Sequence, residues 1–218
     1  VASCTMVGYS LARFKFALNK PLTVLCIIGL ALPPDLLQIP LYNLFRNFNL
    51  FGLIPLINNG EPLNFIDTQI PGIVLGALAV GLRCGLYILI MRQFYRNMPI
   101  ELEEAAYVDG AGVIKTFIRI ILPMSVPMLV TIFMFAFSWQ WTDEFYTGLF
   151  FTDKTKNWLL PNIVKIPASL DTEYAAQSTY EVAIRNTCGL MILAPLVIIY
   201  LFAQRTLIEG VERSGITG

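Results

Sequence analysis

The chain has 218 residues, of which 56% are hydrophobic and only 14% charged, with fifteen basic residues against fifteen acidic ones and no histidine. Soluble domains run at roughly 45–50% apolar and about 25% charged, so the composition excludes a disordered chain and points to a membrane protein. Zero net charge offers no basic footprint for phosphates, which argues against nucleic-acid binding, and the missing histidine removes the usual general base and the commonest metal ligand.

A membrane-crossing helix needs about 20 mostly apolar residues. In chain order, residues 1–14 are apolar but too short, and read as the end of a helix whose beginning is absent. Residues 21–45 form the first complete span, carrying Asp35 and Gln38 and interrupted by Pro33, Pro34 and Pro40. Residues 70–95 form the next, with Arg83 in its middle and two Gly-x-x-x-Gly pairs, Gly72/Gly76 and Gly81/Gly85, that allow close helix approach. Spans at 120–148 and 185–204 follow, the last containing Pro195, with a polar connection over 149–184 between them. The expected fold is an all-α polytopic membrane protein with five visible helices.

Basic residues set the orientation, because short loops rich in Lys and Arg stay on the cytoplasmic side. Arg13, Lys15, Lys20, Arg92, Arg96, Lys115, Arg119, Arg205 and Arg213 fall on one side of this topology, and Arg46, Lys154, Lys156, Lys165 and Arg185 on the other. The loop 97–123 and the C-terminus are therefore expected in the cytoplasm, and 149–184 outside it.

The loop 97–123, NMPIELEEAAYVDGAGVIKTFIRIILP, has the local grammar of a helix, a turn and a second helix. Pro99 suits a first turn, and Glu101, Glu103 and Glu104 complement the positive end of the helix dipole. Gly110 is the residue expected where a helix stops in a left-handed conformation. Val113, Ile114, Phe117, Ile120 and Ile121 then recur at helical spacing. Ala105 and Ala106 leave backbone-level surface that fits a groove on another protein, with a glutamate beside it and a rigid following helix to carry a displacement into the membrane. An amphipathic helix lying on lipid has the same local grammar.

The order Glu104-Ala105-Ala106, three residues, Gly110, nine residues, Ile120, one residue, Leu122-Pro123 resembles the EAA loop of ABC importer permeases at every position. Residues 9–14, YSLARF, are similar to the end of that family's second span. The kinked 33–50 region, the aromatic and acidic 137–145 stretch and the tail from Gln204 resemble its carbohydrate-uptake branch. The resemblance implies a type I (MetI-like) permease of six spans, N-terminally truncated here. It also implies a second homologous permease, two copies of an ABC ATPase, and an extracytoplasmic sugar-binding protein as partners. The ATPase would dock on Glu104, Ala105, Ala106, Asp109, Gly110, Leu122 and Pro123. This chain carries no GxxxxGK[ST] phosphate loop, so ATP and Mg belong to the partner, and the chain itself would bind no cofactor and catalyse nothing.

Polar groups inside spans need a reason. Arg83, Asp35, Gln38, Trp139, Trp141, Asp143 and Glu144 are the candidates for a sugar path, since aromatic faces beside hydrogen-bonding groups suit a sugar. An interfacial aromatic belt is the other reading of the tryptophans, and an ion pair or a wet cavity that of Arg83. Cys4, Cys26, Cys84 and Cys188 lack metal or redox spacing and read as buried thiols. A permease for a non-sugar solute and an ion-coupled secondary transporter are the competing functions; the latter would want paired carboxylates and an inverted repeat.

Overall fold

A computed structural model of the protein describes residues 1–49, 62–153 and 178–215. Its elements are α1 (Ala2–Arg13), α2 (Asn19–Ala31), α3 (Asp35–Arg46), α4 (Ile70–Ala77), α5 (Cys84–Asn97), α6 (Glu101–Val108), α7 (Val113–Thr116), a π turn (Phe117–Ile121), α8 (Leu122–Met124), α9 (Val126–Trp141), α10 (Phe145–Phe150) and α11 (Ser178–Gly215). Among the described residues the only strand-like pairing is one antiparallel bridge, Phe48 to Leu63. The chain divides into two compact units, one of Val1–Pro34, Ile73–Ala136 and Ala203–Gly218, the other of Asp35–Gly72 and Phe137–Phe202.

The first unit is built on α1 against α5. Its core gathers Cys4, Tyr9 and Leu11 with Tyr87, Ile88, Met91, Phe94 and Tyr95, joined by Ile121, Met128 and Ile132. Where lipid replaces water, helices gain little from hiding apolar surface and associate by close packing of small residues. Gly8 supplies that contact: a Cβ there would lie 2.8 Å from Met91 Cβ and 3.1 Å from Ile88 O. Gly85 does the same for α2, since a Cβ there would meet Cys26 O at 2.7 Å. Gly72 and Gly76 face nothing within 4 Å, so close approach belongs to Gly85 and not to that earlier pair. Of the cysteines, Cys4 is buried and the other three are half-buried. Helix α2 buries none of its own residues and presents Leu22, Val24, Leu25, Ile27 and Ile28 outward. So large an apolar face is stable only against lipid or another apolar surface.

The second unit centres on Phe45, which meets Phe150 edge-on at 5.3 Å and stacks with Phe48 at 6.3 Å. Asp67, in the left-handed region at φ 61°, closes the same knot. Its N–H donates to Phe150 O, and its carboxylate accepts from Thr152 Oγ1 at 3.0 Å and from the Asp153 N–H at 2.9 Å.

Several expected spans take a different form. Among the described residues, 182–208 alone are long and apolar enough to cross a bilayer, and the count rises to three if the bent pairs α2 with α3 and Val113–Met124 with α9 are each one span. Residues 70–95 are not one helix: α4 stops at Ala77 and α5 starts at Cys84. Ala79 takes φ 57°, with its N–H donating to Gly76 O and the Val80 N–H reaching back to Leu75 O, a helix stop that normally uses glycine. Pro33 and Pro34 do break 21–45, because proline cannot continue the bonding ladder and restrains the residue before it. Pro40 and Pro195, by contrast, lie inside α3 and α11 without ending them. The final helix is longer than 185–204, running to Gly215 through the residues expected as a tail. Most of the 149–184 connection, with Lys154, Lys156 and Lys165, lies outside the described residues.

Candidate functional site

The EAA-like loop begins where Met98 leaves α5 in an extended conformation (ψ 137°), a turn imposed by the following Pro99. Helix α6 then starts, with Glu101, Glu103 and Glu104 in its first turn beside the exposed N–H groups they complement. It stops within eight residues. Gly110 takes φ 76°, its N–H donates to Tyr107 O at 3.0 Å, and the Ala111 N–H reaches back to Ala106 O at 2.9 Å. Only a residue without Cβ adopts that conformation at no cost. Gly112 opens the next turn, accepting the Thr116 N–H at 3.0 Å.

Burial sorts the loop into two faces. Glu104, Ala105, Asp109, Gly110 and Pro123 are exposed, Leu122 is half-buried, and Ala106 is buried at 5%. The two alanines therefore do not share a face: only Ala105 offers outward backbone-level surface, and Ala106 packs inward because successive helical residues point about 100° apart. Tyr107 and Val108 are exposed beside Ala105, Val108 at 88%. The outward surface of this short helix thus combines a carboxylate, a bare backbone patch and two apolar side chains.

Among the three glutamates, Glu103 is the inward one, 4% exposed. Arg13 Nε approaches its Oε1 at 2.7 Å, and the Tyr9 hydroxyl donates to Oε2 at 3.0 Å. Arg13 also donates from Nη2 to Met98 O at 2.8 Å, the carbonyl at the loop's entrance. Nε and Oε1 are not aligned for a hydrogen bond despite their distance, so charge rather than direction holds that contact. The sequence motif does not single out Glu103, Arg13 or Tyr9. Their signal was available: Tyr9 and Arg13 stand four apart on α1, and Glu103 and Ala106 three apart on α6, which places each pair on one helix face.

Beyond Gly112 the segment is less regular than the expected rigid helix. Helix α7 has four residues, the π turn five and α8 three, and at Ser125 the axis bends by 75° into α9. Val113 and Ile114 of the expected apolar stripe are exposed, as is Ile118 outside it, whereas Ile121 of the stripe is fully buried together with Thr116. The Ser125 hydroxyl donates to Ile121 O at 2.5 Å, occupying a carbonyl beside the bend.

The candidate path residues are largely engaged in local structure. Arg83 sits at the start of α5, at the break rather than mid-span, and its side chain is exposed. Asp35 lies in the first turn of α3 and accepts from Gln38 Nε2 at 3.2 Å. Trp141 stacks on Phe137 at 5.8 Å and donates from Nε1 to Ile192 O at 3.0 Å, beside the Met191 carbonyl that Pro195 deprives of its usual donor. Asp143 caps α10: Oδ2 accepts the Thr147 N–H at 2.8 Å and Thr147 Oγ1 at 2.9 Å, and Oδ1 accepts the Tyr146 N–H at 3.3 Å. Trp139 and Glu144 are exposed. Arg83 belongs to the first compact unit, and Asp35, Gln38 and the Trp139–Glu144 group to the second.

Comparison with known proteins covers most of the chain, this loop included. Residues 5–211 match the family described as binding-protein-dependent transport system inner membrane component. The probable ABC transporter permease YurM of Bacillus subtilis is 30% identical over 97% of this chain and 62% of its own length. A putative ABC transporter permease, ORF2, of Caldicellulosiruptor sp. is 27% identical over 98% of the chain and 68% of its own length. The maltose/maltodextrin transport system permease MalG of Escherichia coli is 27% identical over the whole chain and 67% of its own length.

Proposed function

Because the chain belongs to the family of binding-protein-dependent transport system inner membrane components, we propose that it is the membrane-spanning permease subunit of an ATP-driven sugar importer, taking oligosaccharides in particular. It forms half of the translocation path with a second homologous permease. Two copies of an ABC ATPase bind on the cytoplasmic side, and an extracytoplasmic sugar-binding protein delivers the solute. ATP and Mg are used by the ATPase, and this chain supplies no catalytic group. The sugar class is supported by the relatives: besides MalG, the diacetylchitobiose uptake permease NgcG of Streptomyces coelicolor is 26% identical over 95% of the chain.

The observation that carries the coupling role is the outward face of α6. Glu104, Ala105 and the Gly110 turn stand exposed on a helix of eight residues, whose opposite face is fastened by Glu103. Such a helix enters a cleft of the ATPase, where Glu104 meets a cation and Ala105 lets the backbone approach closely; Asp109, Leu122 and Pro123 flank the contact. Closure of the ATPase pair on ATP draws the coupling helices together, and the attached spans rearrange to open the cavity outward. The basic residues around 92–119 and after Gln204 support a cytoplasmic location for this loop and the C-terminus. Arg83, Asp35, Gln38, Trp139, Trp141, Asp143 and Glu144 remain the proposed path residues.

The test is retention of the ATPase by the tagged full-length permease, with ATP hydrolysis measured in vesicles supplied with the binding protein. Glu104→Lys should lose ATPase retention or binding-protein stimulation, and maltose-type oligosaccharides should stimulate hydrolysis where amino acids do not. Undiminished stimulation in Glu104→Lys overturns the coupling role; stimulation by amino acids alone overturns the sugar class.

A further inference from the structure

We infer that the Arg13–Glu103 ion pair is a positioning link that delivers a displacement of α6 to the α1–α5 pair, an inference that rests on the coupling role proposed for α6. Two routes lead from this helix into the body of the subunit. The covalent one runs through α7, the π turn and α8 to a 75° bend at Ser125. A wide turn followed by a bend yields under load, because each can change its bonding pattern locally. The second route is through side chains. Glu103 is 4% exposed and held from two directions, by Arg13 Nε at 2.7 Å and the Tyr9 hydroxyl at 3.0 Å. Arg13 reaches on to Met98 O at 2.8 Å, so one guanidinium grips both α6 and the loop that leads into it.

Behind that grip stands a stiff body. Tyr9 packs edge-on against Tyr95 at 5.4 Å, and Gly8 seats α1 against Met91 and the Ile88 carbonyl. A buried ion pair is a poor device for stability alone, since desolvation offsets most of its attraction. It is a good device for fixing one geometry, because the charges tolerate no other partner in an apolar setting. Arg13 and Glu103 thereby act as positioning residues, and α6 moves with α1 and α5 as one piece while the α7–α8 segment takes up the strain.

Spin labels at Met6 on α1 and Glu101 on α6, both exposed positions, read this by pulsed electron paramagnetic resonance. The labels are placed in the full-length permease within its ATPase complex, with Cys4, Cys26, Cys84 and Cys188 replaced by alanine. The expected result is one narrow separation, the same without nucleotide and with ATP bound. In Glu103→Gln the separation should broaden and shift on ATP binding. A native separation that shifts with ATP overturns the link, as does a Glu103→Gln separation as constant as the native one. Should Glu103→Gln fail to assemble, the double variant Arg13→Gln with Glu103→Gln, which orphans no charge, is read with the same expectation. A thiol at Val108 separates the two levels of inference. If the bound ATPase does not shield it from maleimide, the coupling role fails; if it is shielded and the Gln variant is still insensitive to ATP, the link alone fails.

Discussion

Gly8 and Met91 stand so close that a single added methyl group on Gly8 would lie 2.8 Å from Met91 Cβ, with the Ile88 carbonyl and the Arg92 nitrogen at 3.1 and 3.2 Å. Two of those three neighbours are backbone, so the contact cannot be relieved by a rotamer change. Gly8→Ala is expected to destabilise the subunit by about 1–3 kcal/mol, the usual range for overpacking, and Gly8→Val by more. Gly29→Ala, in α2 with nothing within 4 Å, should instead be neutral or stabilise by up to about 1 kcal/mol. Thermal unfolding of the detergent-solubilised permease checks both, and equal melting temperatures for the Gly8 and Gly29 variants would contradict the packing described.

Glu103 and Glu104 are adjacent, chemically identical and opposite in consequence. Glu103→Gln leaves the Arg13 charge, 10% exposed, without its counter-ion, and removing one member of a buried pair typically costs about 3–5 kcal/mol. Glu104→Gln changes an exposed residue and should alter folding stability by no more than about 0.5 kcal/mol. Adding Arg13→Gln to Glu103→Gln should restore most of the loss. Chemical denaturation of the unaltered protein, Arg13→Gln, Glu103→Gln and the double variant forms the cycle; a double variant as damaged as the two single losses combined would show that the residues act independently.

At Gly110 the cost of substitution comes from the backbone, because no neighbour lies within 4 Å while φ is 76°. An L-residue in the left-handed region costs roughly 1–2 kcal/mol, and asparagine tolerates it best. ATPase retention by the tagged permease should fall in the order Gly, Asn, Ala, Val. Retention by Gly110→Val equal to that of the unaltered protein would remove the turn from the docking surface.

Asp143 tests whether the acidic group after α9 serves structure or substrate. Its carboxylate accepts two backbone N–H groups and a hydroxyl at the start of α10. Asp143→Ala should therefore destabilise by about 0.5–2 kcal/mol, as loss of a helix cap does, and Asp143→Asn by less. Stimulation of the reconstituted ATPase by maltose-type oligosaccharides should keep its half-maximal concentration in Asp143→Asn. A large rise in that concentration with unchanged melting temperature would return Asp143 to the path.

The helix–turn–helix of the loop, with its stop at Gly110, was legible because its signals are local: proline at the entrance, acids in the first turn, glycine at the exit. The break at Pro33-Pro34 was legible for the same reason. The interruption of 70–95 was not, since Ala79 occupies a left-handed position that carries no sequence signature, and hydropathy counts apolar residues without regard to φ. Nor was the inward turn of Glu103, because three glutamates in one turn look alike until a partner on α1 chooses among them. Arg83 and Asp143 show a related difference: the hydropathy pattern sets both inside continuous spans, and the fold places one at a helix break and the other beneath a helix start.

Thr116 and Ile121 are both fully shielded although they stand five residues apart, a separation that a regular α-helix would spread over roughly 140°. The π turn between them absorbs that difference and sets both in phase with Ser125, Met128 and Ile132, which continue the shielded line at ordinary spacing. Removing or adding one residue between Gly112 and Ser125 would rotate everything downstream by about 100° and carry Met128 and Ile132 out of the core. In this stretch the number of residues is thus more tightly fixed than their identity: Ile114 and Ile118, facing outward, can vary, whereas the count between Thr116 and Ile121 cannot.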